Sequence, residues 1–345
     1  MTAYTRIVLA ARPQGRPTPA DFRTETAVLP DPGAGQMLLA TRFLSLDPYM
    51  RGRMDDRASY AKPVAIGQTM EGQGVAQVVA SHVADFAPGD WVLAPTGWAS
   101  HALSDGTGVR RLGPATLPSN APPPSTALGV LGMPGFTAYA GLLLLGRPRP
   151  GETVVVAAAA GPVGSLVGQL ARDEGARVVA IAGGPDKAAY LRDTLQFDAA
   201  LDHRAPDFAA QLAAACPAGI DVYFENVGGA VWQAVLPLLN LYARVPVCGL
   251  ISQYSGGAMG EHDLLPATMR QVLTRSLTIR GFINSEFVPE HFPSFLHRVG
   301  TGLAEGRIVY REDVTEGLEH APATFIGMLD GRNFGKTLVR VSPAE

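Results

Sequence analysis

The chain is 345 residues long, with 47% hydrophobic residues, 17% charged residues and a formal net charge of −3. That balance belongs to a folded globular protein of two domains, since a single core stops growing at roughly 250–300 residues. No block of like charge stands out, which argues against nucleic acid or an anionic membrane as the main partner.

The N-terminus carries one short apolar stretch, Ile7 to Ala11, between Arg6 and Arg12, without the order of regions that makes a signal peptide. The first third is rich in Gly, Pro and short β-type runs. Residues 37–45, 72–79 and 90–94 read as strands bounded by turn residues. The sequence Phe86-Ala-Pro-Gly-Asp90 is a turn signal, and the Pro-rich stretch from Pro118 to Pro124 reads as a boundary. Two long uncharged stretches, 112–146 and 153–170, are candidates for membrane spans. Six prolines break the first, and Gly161-Pro162-Val163-Gly164 interrupts the second, so both read as soluble core.

From residue 153 to about 283, β runs alternate with helical patterns. The run Thr153-Val-Val-Val-Ala157 is apolar throughout, as expected of a strand buried on both faces. Val163, Leu166, Val167, Leu170 and Ala171 then form the i, i+3, i+4, i+7, i+8 stripe of a helix on a sheet, with Gly175 at its C-terminal end. Residues 177–182 read as the next strand and 187–195 as the next helix. Residues 220–224, 244–248 and 277–282 supply further strands. Strands alternating with helices imply a parallel, doubly wound sheet. The chain closes on a strand over 337–341, in a segment expected to pack back onto the first domain.

Between the first of these strands and its helix stands Ala159-Ala160-Gly161-Pro162-Val163-Gly164, a variant of the Gly-x-Gly-x-x-Gly fingerprint with Ala159 in the first glycine place. Gly161 lets backbone approach a pyrophosphate, and Gly164 lets helix and strand pack closely. Pro162 sits in the first helical turn, where its missing N–H costs little. A tight turn that binds nothing is the alternative. The buried strand, the amphipathic helix and the series that follows favour a nucleotide. NAD-binding units place an Asp or Glu after the second strand. Here that place reads Ile181-Ala182-Gly183-Gly184, with no acid at the strand end. Lys187 follows, one of only three lysines in the chain. A solvated surface position is the commoner fate of lysine, but the two observations together favour NADP over NAD.

Cys216 and Cys248 are the only cysteines. They have no metal-type spacing and read as two reduced thiols in a cytosolic protein. His291 and His297 are not at a ligand spacing, so no metal is expected.

Several separated segments resemble one family. They are Leu46-Asp-Pro-Tyr-Met-Arg-Gly-Arg-Met54, Gly129-Val-Leu-Gly-Met-Pro-Gly-Phe-Thr-Ala-Tyr139 and Ala158-Ala-Ala-Gly-Pro-Val-Gly-Ser165. Tyr223-Phe-Glu-Asn-Val-Gly-Gly229, Cys248-Gly-Leu-Ile-Ser-Gln-Tyr254 and Gly331-Arg-Asn-Phe-Gly-Lys-Thr337 complete the set. The chain resembles, over nearly its whole length, the zinc-free medium-chain dehydrogenase/reductases, specifically the alkenal/one double-bond reductases and prostaglandin reductases. The resemblance implies an α/β Rossmann NADP-binding domain over 126–309 and a mostly β, GroES-like domain from 1–125 and 310–345.

It also implies roles. Gly161 and Gly164 would lie along the pyrophosphate and Lys187 would pair with the 2′-phosphate, with Ala160, Pro162, Val163 and Gly183 also among the cofactor-binding residues. His203 stands where members of the family often have a tyrosine beside that phosphate, and a plain surface histidine is the alternative there. Asn226 would approach the cofactor ribose, and Cys248, Gly249 and Ser252 would pass the cofactor by backbone contacts. Phe282, Ile283 and Asn284 would lie near the nicotinamide, and Asn333 would reach the cofactor from the C-terminal segment. Tyr49 and Tyr254 would face a substrate carbonyl from opposite sides of a cleft. The implied activity is NADP(H)-dependent reduction of the double bond of a small enone or enal, in a cytoplasmic homodimer. A quinone reductase of the same superfamily, or a nucleotide-binding protein without turnover, stays open as the alternative. The glycine-rich loop from Ser255 to Gly260 reads either as a lid over substrate or as a plain flexible connection.

Overall fold

The structure, a computed structural model, describes residues 1–57, 59–113, 121–256 and 264–341. Part of the expected boundary at 118–124 and most of the expected lid at 255–260 lie outside the described residues. Two compact units divide the chain: Met1–Gly129 with Glu312–Asn333 and Thr337–Glu345, and Val130–Arg311 with Phe334–Lys336.

In the first unit, β1 (Thr2–Leu9) and β2 (Phe22–Leu29) form an antiparallel ribbon. The strands β3 (Met37–Ser45), β4 (Gly74–Ser81), β5 (Trp91–Ala94), β6 (His101–Ser104) and β7 (Arg110–Gly113) belong to a second, larger sheet. The central strand β3 pairs antiparallel with β4 and β6. A short helix, α1 (Met50–Arg53), follows β3.

The second unit opens with α2 (Met133–Tyr139) and contains the five strands expected from the sequence together with one more, β10. They are β8 (Thr153–Val156), β9 (Arg177–Ala182), β10 (Ala199–Asp202), β11 (Ile220–Phe224), β12 (Leu239–Val247) and β13 (Thr278–Gly281). The helices between and after them are α3 (Pro162–Asp173), α4 (Pro185–Ala189), α5 (Phe208–Ala215), α6 (Gly229–Val235), α7 (Leu265–Arg275) and α8 (Val288–Ala304). The expected helix over 187–195 is α4 followed by a wider, π-type turn over Tyr190–Thr194.

The spatial order of this sheet is β10-β9-β8-β11-β12-β13, and the pairs are parallel. Alternate residues of β8 face opposite layers. Val154 and Val156 pack with Leu166, Val167 and Leu170 of α3 on one side. Val155 and Ala157 pack with Phe208 and Leu212 of α5 and Val231 of α6 on the other. That two-sided burial is why β8 reads as an unbroken apolar run, each valine adding about 1.5–3 kcal/mol on leaving water. At the end of α3, Gly175 takes φ +76, its N–H donates to the Arg172 carbonyl at 2.9 Å, and the Ala176 N–H donates to Ala171 at 3.1 Å. This pair of bonds is the Schellman arrangement, and glycine is the residue that accepts the conformation without penalty.

The chain then re-enters the first unit through β14 (Glu312–Glu316), α9 (Ala321–Leu329) and β15 (Lys336–Arg340). β15 lies between β14 and β3, antiparallel to β3. The core of this unit gathers Ile7, Leu9, Phe22, Leu44, Trp98 and Phe325, with Phe22 stacked on Trp98 at 5.6 Å between centroids.

Candidate functional site

Numbered from β8, the sheet order of the second unit is 3-2-1-4-5-6, and it reverses direction between β8 and β11. In open parallel sheets of this kind, the crevice outside the carboxyl ends of the strands at that reversal is where ligands bind. The sequence-derived candidates of this unit lie at those carboxyl ends. The glycine-rich turn follows β8, Gly183 and Lys187 follow β9, and His203 follows β10. Asn226 follows β11, Cys248 to Ser252 follow β12, and Phe282 to Asn284 follow β13. Tyr49 and Asn333 belong to the first unit, Tyr49 immediately before α1 and Asn333 after α9.

The turn after β8 is shaped to receive an anion. Ala158, one place before Ala159 in the first glycine place, holds φ +51, a conformation that costs an L residue roughly 1–2 kcal/mol. The Gly161 N–H closes the turn onto the Ala158 carbonyl at 3.0 Å. Gly161 then caps α3 with no side-chain hydrogen bond, and Pro162 opens the helix. The first helical N–H that finds a carbonyl is that of Ser165, on Gly161 at 3.0 Å. The N–H groups of Val163 and Gly164 therefore have no intrahelical partner, and they point out with the positive end of the helix dipole. A Cβ on Gly164 would stand 2.6 Å from the Ala158 oxygen and 2.7 Å from the Ala159 Cα, so only glycine allows α3 to sit this close to the strand end. A diphosphate fits such a cradle. The Ala160 carbonyl accepts the N–H of Gly335 at 3.1 Å, which ties the 334–336 segment to the same turn.

Across the reversal point, Asn226 donates from Nδ2 to the Ala157 carbonyl at 2.8 Å. The loop that carries Asn226 is organised by Glu225, to which the sequence reading gave no role. Glu225 is buried, and its Oε1 accepts from the Val227 N–H at 2.6 Å, the Gly228 N–H at 2.8 Å and the Tyr223 hydroxyl at 3.0 Å. Burial raises its pKa, and these donors act in the opposite direction.

The N–H groups of Cys248 and Gly249 donate to the Glu225 carbonyl, and those of Ile251 and Ser252 to Asn226 and Val227. The loops after β11 and β12 are thus laced together, and the β12 loop offers a ligand its carbonyls and side chains rather than these donors. The Cys248 thiol is pushed up to about 12 by burial and by Glu225, so it carries no nucleophilic thiolate at neutral pH. Tyr254 folds back over the same loop, where its hydroxyl accepts the Leu250 N–H at 3.3 Å.

After β13, Phe282 buries its ring in the core beside Phe224 and leaves its backbone at the strand end. Ile283 is exposed, and Asn284 donates to Thr137 Oγ1 of α2 at 2.9 Å. On the far side of the sheet, His203 is exposed and flanked by Asp202 and Arg204. Its ring is nonetheless partly shielded from water, and that shielding, Arg204 and Lys187 all lower its pKa, in that order, while Asp202 opposes them. Arg204 is the second residue that sequence reasoning missed. Its only chain-level signal is adjacency to His203.

In the first unit, Tyr49 lies under Arg53, whose guanidinium stands 5.5 Å from the ring centroid and pairs with Glu71 at 2.5 Å. Burial, with Asp47 and Glu71 nearby, pushes the Tyr49 phenol well above its ordinary range. Among the described residues no group of three or more His, Cys, Asp or Glu could hold a metal ion, and no helix is long and apolar enough to cross a membrane.

Sheet order, uncapped helix and glycine cradle define a dinucleotide-binding protein of the Rossmann type. Known proteins narrow the class. Residues 5–112 match the family model of the N-terminal domain of oxidoreductases, and residues 162–300 match that of zinc-binding dehydrogenases. The NADPH-dependent curcumin reductase of Escherichia coli is 52% identical over 98% of this chain and 96% of its own. Prostaglandin reductase 1 of Rattus norvegicus is 42% identical over 95% of this chain and 96% of its own. The crystal structure of CurA from Vibrio vulnificus in complex with NADPH superposes with a TM-score of 0.94 at 50% identity, covering 99% of this chain and all of that one. The chain belongs to the medium-chain dehydrogenase/reductase family, in the branch of the curcumin and prostaglandin reductases.

Proposed function

We propose that this protein uses NADPH to reduce the carbon–carbon double bond of α,β-unsaturated aldehydes and ketones. The observation that carries the reading is the anion cradle at the uncapped start of α3, placed where the sheet order reverses. The relatives named for curcumin and prostaglandin reduction support the substrate class.

We assign the first unit to substrate and the second to the cofactor. The pyrophosphate is held by Gly161 and by the N–H groups of Val163 and Gly164, and the 2′-phosphate by Lys187 with His203. Asn226 lies along the ribose, and Ile283 and Asn284 flank the nicotinamide. When bound, the cofactor would supply a hydride for the carbon β to the carbonyl. Electron density then collects on the carbonyl oxygen, and the α-carbon takes a proton from water. The phenols of Tyr49 and Tyr254 are the assigned donors to that oxygen, and a preorganised donor of this kind stabilises the developing charge. The environment of Tyr49 keeps its proton on across the neutral range.

We further propose a homodimer in the cytoplasm, where both thiols stay reduced. β13 pairs with β12 on one side, and all four of its residues are exposed. Ile279 on that edge strand is exposed, as are Leu241 and Tyr242 earlier in β12, and such an unpaired edge is suited to antiparallel pairing with a two-fold copy.

An NADPH-oxidation screen over enals, enones and simple quinones tests the activity. Turnover is expected with the conjugated carbonyls, and indifference to all of them would remove the double-bond reading. Lys187→Ala should weaken NADPH about tenfold and leave NADH nearly unchanged. Sedimentation of Ile279→Lys tests the dimer, with a shift to monomer expected.

A further inference from the structure

Beyond Ala182, Gly183 and Gly184 turn the chain from β9 into α4. Gly184 takes φ +92 and needs to be glycine for that reason. Gly183 has no such backbone constraint. A side chain at 183 would instead press on the residue lying against it. A Cβ built there would stand 3.0 Å from both Cζ and Nε of Arg204 and 3.1 Å from Nη2. The guanidinium occupies the space a side chain at 183 would take.

Arg204 reaches this place from the end of β10, the strand next to β9. Its own N–H donates to Asp202 Oδ1 at 3.0 Å, which fixes the turn and engages the one acid beside it. The Asp202 carboxylate feels the Arg204 charge, but among the described residues no side-chain ion pair joins the two. Lys187 is close enough to act electrostatically on His203, as is Arg204. The charges of Arg204 and Lys187 thus both reach His203 beyond the end of β9, where an NAD-specific protein of this class carries a carboxylate and where Asp202 here accepts backbone N–H groups.

We propose that Arg204, seated on Gly183, is a specificity-determining residue that holds the 2′-phosphate of the cofactor as a guanidinium fork alongside Lys187. Glycine at 183 lets the guanidinium lie against the turn without displacement. The proposal rests on the NADPH reading above. Arginine suits the role because its planar donors match phosphate oxygens two at a time, and an exposed arginine without a carboxylate partner gives up no ion pair to do so.

The test measures dissociation constants for NADPH, NADH and 2′,5′-ADP on the purified full chain, by cofactor fluorescence and calorimetry. The proteins are wild type, Arg204→Gln, Arg204→Lys, Gly183→Ala and the remote control Arg192→Gln. Arg204→Gln is expected to raise the constants for NADPH and 2′,5′-ADP about tenfold and to leave NADH within about twofold. Arg204→Lys should recover part of that loss, and Gly183→Ala should shift NADPH in the same direction by displacing the guanidinium. An equal loss for NADPH and NADH would mean that Arg204 stacks on the adenine ring, which overturns the phosphate role. So would an unchanged NADPH constant in Arg204→Gln. In either case a wild-type preference for NADPH leaves the parent reading standing. A wild type that binds both cofactors alike overturns the parent reading and this proposal with it.

Discussion

Asn226 and Ala157 are joined at 2.8 Å, amide nitrogen to main-chain oxygen, across the point where the parallel sheet reverses its order. The bond holds the ends of β8 and β11 at a fixed distance beneath the proposed ribose. Removing it in Asn226→Ala should lower stability by about 1 kcal/mol and weaken NADPH and NADH alike, since both carry that ribose. Parallel titrations with the two cofactors check this, alongside a thermal melt. A variant that binds both as tightly as wild type would show the amide to be irrelevant to the ligand.

Gly161 and Gly164 stand three residues apart and separate structure from binding. At Gly164 the added Cβ meets backbone at 2.6 and 2.7 Å, so Gly164→Ala must push α3 off the strand end. Overpacking of that kind costs roughly 1–3 kcal/mol, and both the melting temperature and cofactor affinity should fall. At Gly161 the nearest atom is the Ala158 oxygen at 3.3 Å, which a small adjustment accommodates. Gly161→Ala should therefore melt close to wild type and still bind NADPH poorly, because its methyl group enters the space of the diphosphate. Matched scanning fluorimetry and fluorescence titration of the two variants decide the point. Normal NADPH affinity in Gly161→Ala would refute the assigned diphosphate position.

The contrast between these glycines and the Gly183–Arg204 pair shows what a linear reading reaches. β8, α3 and their connecting turn were legible because strand burial, helix stripe and glycine spacing all fall within about twenty residues of chain. The strand expected over 244–248 begins at Leu239, and its first half is harder to read because it is irregular, with Tyr242 at φ +64. β10 and the ribbon of β1 and β2 were not anticipated, being short or of mixed polarity with half-exposed residues. Glu225 was quoted within a motif yet given no role, since its carboxylate turns inward onto the N–H groups of its own loop. Arg204 could not be found from spacing at all. Its contact with Gly183 exists only because β9 and β10 are neighbours in the sheet.

At its proposed place beside the 2′-phosphate, His203 should give cofactor binding a pH dependence whose sign follows from its surroundings. Burial, Arg204 and Lys187 hold its pKa below 6.5, against the pull of Asp202. A bound 2′-phosphate adds negative charge beside the ring and raises that pKa, so binding takes up a proton. The imidazolium contribution is then fully present below the pKa of the free protein and is lost as pH rises through that of the complex. NADPH should bind about threefold to tenfold less tightly at about pH 8 than at about pH 6, and NADH should show no such trend. The phosphate itself titrates near about pH 6. The comparison is therefore with His203→Gln, in which the phosphate still titrates and the imidazole does not. Parallel pH profiles for the two proteins would place the ring away from the phosphate.

Tyr49 is the more readily isolated of the two assigned donors, because Tyr49→Phe keeps the ring beneath Arg53 and removes only the hydroxyl. The guanidinium at 5.5 Å and its ion pair with Glu71 should persist, so the variant should fold and bind NADPH as wild type does. Loss of a donor aimed at the developing oxyanion should lower kcat on an enone by about a hundredfold with little change in KM. The raised phenol pKa adds a second expectation: wild-type kcat should show no alkaline fall from this group up to about pH 10, since burial with Asp47 and Glu71 keeps the proton on. Steady-state rates across pH on both proteins check the two together. An undiminished kcat in Tyr49→Phe would leave Tyr254 or a cofactor hydroxyl as the donor, and Tyr254→Phe is the variant that would then carry the loss.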